Sequence, residues 1–170
     1  MKAVADASSL IHPAKVPRFW KLMKETFEEI LIPEAVWKEI LKGKEIMSPD
    51  VPVIEEAIKA GWIKVRKLKS KARLAEGLGE GEKEAIALMK EHGRKVDWLL
   101  IDDKIASTRA RLMGLSVRSA MYLLIYWERK GMTKESQSLQ MLDDMVKADY
   151  YLSSEDYVAV KELITRPPVS

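Results

Sequence analysis

Carboxylates close two short apolar runs of this chain. Val4-Ala5 leads into Asp6, and Trp98-Leu99-Leu100-Ile101 leads directly into Asp102-Asp103. Two further acids, Glu82 and Glu84, precede the second run, and Glu39 lies within Val36-Trp37-Lys38-Glu39-Ile40. If such acids meet in the folded chain, the cost is large. Two carboxylates about 5 Å apart repel by about 3 kcal/mol at an effective dielectric of about 20, which is roughly two pKa units for one partner. A divalent cation supplies the missing positive charge. Ligation by oxygen alone, with positions left open, suits Mg2+ or Mn2+, which retain waters and bind phosphate oxygens. Chemistry of that kind stabilises the charge of a reacting phosphodiester.

Each acid also has a structural use. An Asp that follows a strand often caps the next helix, so Asp6 could serve as a cap, and one of Asp102 and Asp103 could cap while the other faces a crevice. Glu82 and Glu84 suit the positive end of their own helix dipole, and Glu39 sits where a solvated helix face is the default. Singly, none of these residues argues for a site. Their combination does.

The rest of the composition narrows the chemistry. There is no cysteine, which removes disulfides, thiolate nucleophiles and zinc–thiolate sites. Only two histidines are present, His12 beside Pro13 in what reads as a loop and His92 before Gly93, where it suits a helix C-terminus. Neither supports a histidine metal site or a Ser-His-Asp triad. Basic and acidic residues number 29 and 26, and the pI is near 8.9, so nucleic acid is permitted as a partner but not demanded. Asn is absent and Gln occurs only at 137 and 140, which with abundant Lys and Glu resembles thermophile compositions. No apolar run approaches the roughly 20 residues that span a membrane. No signal-peptide pattern opens the sequence, so the expectation is a cytoplasmic protein without a membrane partner.

The acids must be positioned by elements, and these alternate. Strands are expected at 2–6, 29–32, 62–68, 96–101 and 115–118. Helices are expected at 17–27, 34–41, 53–60, 82–91, 104–113 and 120–129, with 7–16 a turn and 43–52 a loop. Gly114 caps the helix before it. Thr133 and Ser154 start two more helices, ending near Tyr150 and Ile164. Residues 69–81 read as an exposed connection. Alternating strands and helices imply βαβ units and a mainly parallel sheet covered on both faces. The expected fold is therefore α/β, a three-layer sandwich over 1–170 with about 133–170 as a helical C-terminal extension. In such a sheet ligands bind outside the strand C-termini, where Asp6 and Asp102-Asp103 fall.

Four motifs stand in order: Asp6-Ala7-Ser8-Ser9-Leu10-Ile11, Val36-Trp37-Lys38-Glu39-Ile40, Gly81-Glu82-Lys83-Glu84-Ala85-Ile86-Ala87-Leu88 and Leu99-Leu100-Ile101-Asp102-Asp103. Together they resemble the PIN-domain family, most closely a prokaryotic PIN-like branch of unknown function. Ala148-Asp149-Tyr150-Tyr151-Leu152-Ser153 resembles the C-terminal segment of that branch, so the likeness covers nearly the whole chain. It implies a Mg2+- or Mn2+-dependent ribonuclease related to the toxin subunits of VapBC modules. It also implies RNA as substrate, an antitoxin protein as partner and a homodimer. Carried over by motif, the catalytic acids are Asp6, Glu39, Glu84 and Asp103. The metal ligands are drawn from Asp6, Glu84, Asp103, Asp102 and Glu82, with Glu84 favoured over Glu82. Ser8 matches a hydroxyl residue that supports the first acid. The chain departs from the family at Ala7, where Thr is frequent, and at Ser119-Ala120, where Gly-Thr is frequent. Ser119 is expected to bring a hydroxyl near the metal.

The stretch 62–73, WIKVRKLKSKAR, carries six cations and no acid. Lys64 and Arg66 alternate with apolar residues and share a strand face, where they would contact phosphates. Arg109 and Arg118 are expected near the acid edge as further substrate contacts. The Met121–Trp127 region and Trp20 suit either core or a subunit interface. Two other classes fit less well. Receiver domains carry their acid pair after the first strand, whereas here the pair comes late. Dehalogenase-like phosphatases want Asp-x-Asp after strand one, where this chain reads Asp6-Ala7-Ser8. A PIN-like scaffold that binds RNA or protein without cutting is the non-enzymatic alternative.

Overall fold

The structure, a computed structural model, describes residues 1–70 and 77–166. Five strands form one all-parallel sheet: β1 (Lys2–Ala5), β2 (Glu29–Pro33), β3 (Ile63–Arg66), β4 (Trp98–Leu100) and β5 (Val117–Arg118). Their spatial order is β3-β2-β1-β4-β5. The chain thus winds outward in one direction from β1 through β2 to β3, then returns and winds the other way through β4 and β5. Between β1 and β4 the order reverses, and such a switch point is where open parallel sheets form their crevice.

Burial explains the central strand. Ala3, Val4 and Ala5 are all fully buried, the continuous apolar run of a parallel strand covered on both faces. Successive residues supply opposite faces. Ala3, Ala5, Ile30, Ile32, Ile63 and Leu100 join one core cluster, while Val4, Leu31, Leu99, Ile101 and Val117 join the other. Helices α1 (Ser8–Ala14), α2 (Pro17–Thr26), α3 (Glu34–Leu41), α4 (Asp50–Lys59) and α7 (Ala120–Arg129) contribute to the first cluster, which is the larger. Helices α5 (Glu80–His92) and α6 (Lys104–Leu112) cover the other face. The three layers follow.

The last two helices, α8 (Glu135–Lys147) and α9 (Ser154–Thr165), pack on α7 and add Leu142, Met145, Val160 and Ile164 to the larger core. Trp127 of α7 is fully buried, and its indole Nε1–H donates to Thr26 Oγ1 at 2.7 Å. Among the described residues no helix is long and apolar enough to cross a membrane.

Several local expectations are corrected. Residues 8–14 are helix α1 instead of a turn, despite Pro13, because Asp6 Oδ1 accepts the Ser9 N–H at 2.9 Å and closes the first turn. The expected loop over 43–52 holds a 3-10 turn, Lys42–Ile46, and the start of α4. Pro52 fits there because first-turn N–H groups have no helical acceptor. Ser153, not Ser154, caps α9 by accepting the Asp156 N–H at 3.0 Å. Thr133 lies before α8 with its hydroxyl paired to Ser138 Oγ at 2.7 Å.

Candidate active site at the strand ends

Parallel pairing of β1 with β4 places Ala5 beside Leu100, so the residues just beyond them emerge side by side. Asp6 N–H donates to the Leu100 carbonyl at 3.1 Å, and the first acid therefore stands at the end of β4. Asp6 is only 3% exposed. Its Oδ1 takes the Ser9 N–H, and Ser8 Oγ lies 3.3 Å from Oδ2. Ser9 Oγ donates across the switch point to Asp102 Oδ2 at 3.4 Å. Burial, then the neighbouring Asp102 charge, pushes the Asp6 carboxyl up to about 7, with Glu82 adding a smaller push. Burial also raises Asp102, even though its Oδ1 accepts the Ala120 N–H at 2.8 Å and the Tyr150 hydroxyl at 2.9 Å.

Of the two helix acids, Glu82 lies near Asp6, and Glu39 lies near Glu82. A Cβ built on Gly81 would stand 2.9 Å from Glu39 Oε2 and 3.2 Å from Val36 Cγ2, so glycine lets α5 approach α3 closely. Burial and the nearby Glu82 raise the Glu39 carboxyl, against the pull of Lys42. Glu82 Oε2 accepts the Gly79 N–H at 2.9 Å, capping α5, while the residue lines the cleft with Ser8, His12, Asp102 and Asp103. That cleft, of about 580 Å³, is also lined by Lys104, Ile105, Tyr150, Tyr151, Leu152 and Asp156. Lys104 reaches Asp156 at 2.9 Å across its rim.

The other expected site residues are placed differently. Glu84, favoured from sequence, turns away: its Oε2 accepts the Ala35 N–H at 3.1 Å and caps α3. Residues two positions apart on a helix point about 200° from each other, so Glu82 and Glu84 cannot share one direction, and Glu82 takes the side of Asp6. Asp103 is exposed at the cleft, with Oδ1 engaged by the Ala106 N–H at 2.8 Å as the cap of α6. Ser119 Oγ accepts the Tyr122 N–H at 3.1 Å and caps α7, so what this segment gives the acids is the Ala120 N–H instead of a hydroxyl.

The basic residues do not converge on the acids either. Lys64 is ion-paired with Glu29, which begins β2 at the opposite end of the sheet. Arg66 ends β3 and is exposed, its Nη1 donating to the Val65 carbonyl at 3.4 Å. Arg109 runs toward Gly77, where a Cβ would meet its Nη2 at 3.6 Å. The Arg118 guanidinium lies over the rings of Trp98 and Tyr122, 5.4 and 4.7 Å from their centroids, back toward the start of β4. Lys71 and Arg73 of the basic stretch lie outside the described residues.

Two site residues went unnoticed in the sequence. Tyr150, in the C-terminal extension, has no spacing pattern that ties it to Asp102, 48 residues earlier. His12, expected in a loop, lines the cleft from α1.

Asp6 and Asp102 fit a divalent cation by donor type and by charge. Both are oxygen donors, both are driven toward protonation, and none of the ion pairs among the described residues engages either one. Among the described residues no three His, Asp or Glu side chains form a ready ligand group. Magnesium needs no such cage, since one or two carboxylates with waters and substrate phosphates suffice.

A doubly wound parallel sheet with carboxylates at its switch point defines an α/β protein with an acidic crevice at its strand ends. The family follows from the sequence, because a PIN-domain model matches residues 2–166 and the chain belongs to that family. PIN domains are a nuclease-type fold and typically use divalent metals. Among solved structures, the chain is similar to a PilT N-terminus domain protein from the archaeon Sulfolobus solfataricus P2, at 19% identity and a TM-score of 0.44, covering 71% of this chain and 87% of that one. It is also similar to a domain of a functionally unknown protein from Methanocaldococcus jannaschii, at 20% identity and a TM-score of 0.46, covering 69% and 89%. No curated protein matches the chain in sequence.

Proposed function

We propose that this protein is a Mg2+- or Mn2+-dependent endoribonuclease whose centre is the Asp6–Asp102 pair. The observation that supports it is the buried Asp6 carboxylate set against the half-buried Asp102 at adjacent strand ends, beside an open cleft. When both acids are ionised that arrangement opposes folding, and a proton or a divalent cation relieves it. Asp6 and Asp102 would hold the ion, with Glu82 and Glu39 adding negative charge from the helices and Asp103 at the cleft mouth. The ion, when bound, supplies Lewis acidity and neutralises charge on the phosphodiester. The protein's own work is positioning. Ser8 and Ser9 donate to the two carboxylates, and the Ala120 N–H fixes Asp102.

RNA as substrate, action as the toxin of a toxin–antitoxin pair and a homodimeric state belong to the same proposal and rest on the family; a cytoplasmic location belongs to it too and rests on the sequence pattern. The scaffold reading has one observation in its favour, the lack of a three-residue ligand group among the described residues. Incubation of a single-stranded RNA panel with Mn2+, with EDTA and with the Asp6→Asn protein separates the two. Cleavage lost with chelator and in the variant supports the nuclease. RNA that is retarded in a gel yet stays intact supports the scaffold.

A further inference from the structure

The segment joining α8 to α9 enters the cleft, and the chain is bent to bring it there. Ala148 closes α8 by donating its N–H to the carbonyls of Asp144 and Met145, at 2.9 and 3.1 Å. Asp149 then takes a left-handed φ of 64°, a conformation that Asp tolerates better than most residues. Tyr150 N–H returns to the Met145 carbonyl at 3.0 Å. The reversal sends Tyr150 inward, 8% exposed, while its neighbour Tyr151 is 89% exposed. His12 holds the turned segment at two points. Its Nδ1 lies 3.1 Å from the Ala148 carbonyl, an acceptor to which the ring must donate. Its ring also packs edge-on against Tyr150, at 5.6 Å between centroids and 88° between planes.

The contact made by Tyr150 is asymmetric. Its hydroxyl donates to Asp102 Oδ1 at 2.9 Å, and the Ala120 N–H donates to the same oxygen at 2.8 Å. Oδ2 has the Ser9 hydroxyl at 3.4 Å, a weak contact by comparison. Two short bonds on one oxygen, arriving from separate elements, fix the plane of the carboxylate and leave Oδ2 on the side of Ser9 and Asp6. We infer that Tyr150 is a positioning residue of this centre. Its hydroxyl orients Asp102 so that Oδ2 remains available to a divalent cation shared with Asp6. The C-terminal extension is then a working part of the site. Hydrogen bonds that orient metal-ligating carboxylates are typically worth 10- to 100-fold in metal affinity. The inference rests on the metal-site reading above.

The test uses the full-length protein with Tyr150→Phe, which removes one hydroxyl and keeps the ring against His12. Tyr157→Phe is the control. It removes a comparable hydroxyl–carboxylate bond in the same extension, Tyr157 to Asp143 Oδ1 at 2.6 Å, and Tyr157 is not among the residues lining the cleft. Mn2+ affinity is read by calorimetry and thermal midpoint by circular dichroism, with the unsubstituted and Asp6→Asn proteins in parallel. The expected result is Mn2+ affinity weakened about 10-fold or more by Tyr150→Phe and unchanged by Tyr157→Phe, with comparable thermal midpoints. Affinity in Tyr150→Phe within twofold of the unsubstituted protein, while Asp6→Asn binds no Mn2+, overturns the inference and leaves the metal site standing. Failure of the unsubstituted protein to bind Mn2+ overturns the metal-site reading and this inference with it.

Discussion

The two ends of β4 are built on opposite electrostatic principles. At its start, Trp98 sits among Phe27, Tyr122 and Tyr126 with ring centroids 6.0, 5.6 and 5.2 Å away, all near edge-on. The Arg118 guanidinium lies over two of these rings, so a cation meets the negative faces it prefers. Arg118 Nε is buried without a hydrogen-bond partner among the described residues, and the ring faces compensate for it. At the far end of the same three-residue strand, the chain continues to Asp102, which faces Asp6 across the switch point, like charge against like charge. One end is satisfied as it stands. The other carries two neighbouring acids that a proton or a cation must relieve.

Breaking the comparison at its acid end has the largest expected effect. Asp6→Asn should lower Mn2+-dependent RNA cleavage by about 10³-fold, since charge stabilisation by a metal contributes several kcal/mol to a transition state. Initial rates on a labelled single strand would measure it. Breaking the aromatic end should do the reverse. Trp98→Ala is expected to cost about 3 kcal/mol of stability, read by urea denaturation, while cleavage by the folded fraction persists. A loss of cleavage with no loss of stability would show that the two ends are not separate.

The pH dependence sharpens the contrast. Asp6 is raised in the folded protein from 3.8 to about 7. A carboxyl with a raised folded-state pKa binds its proton more tightly folded than unfolded. Its favourable contribution is therefore complete below about 4 and is lost as pH rises through 7. Without divalent cations, the stability difference between the unsubstituted protein and Asp6→Asn should widen in favour of the variant across that window. Parallel stability curves in EDTA would check this. The smallest expected effect is at Arg118. Arg118→Met keeps the apolar stem and removes the cation, costing about 1 kcal/mol with cleavage unchanged.

That Asp6 and the Asp102-Asp103 step emerge at one edge was legible because its physical cause is local, although the sequence favours Asp103 and the structure sets Asp102 beside Asp6. An apolar run that ends in Asp marks a buried strand emerging at an edge, and two such runs in a parallel sheet emerge at the same edge. The limits of α3 and α7 were legible for a similar reason. Pro33 opens one, and an unbroken apolar stretch fills the other. What was not legible depends on partners distant in sequence. Glu82 and Glu84 look alike as letters, and only the Ala35 N–H drawing Glu84 toward α3 decides which one faces the cleft. Tyr150 reaches Asp102 because α8 packs on α7 and Asp149 reverses the chain, and no periodicity encodes that meeting. Arg118 read as a phosphate contact because it ends a strand. Strand alternation puts it on the face of its partner Leu100, where the rings of Trp98 and Tyr122 take up its charge.

At the acid end, the central question is whether the pair is destabilising until a cation arrives. The direct measurement is the thermal midpoint of the unsubstituted and Asp6→Asn proteins at pH 8, each with EDTA and with millimolar Mn2+. Asp6→Asn should melt higher than the unsubstituted protein in EDTA, and Mn2+ should raise the unsubstituted protein while leaving the variant unmoved. An unsubstituted protein indifferent to Mn2+, together with a variant that melts lower in EDTA, would contradict this and make Asp6 an ordinary helix cap.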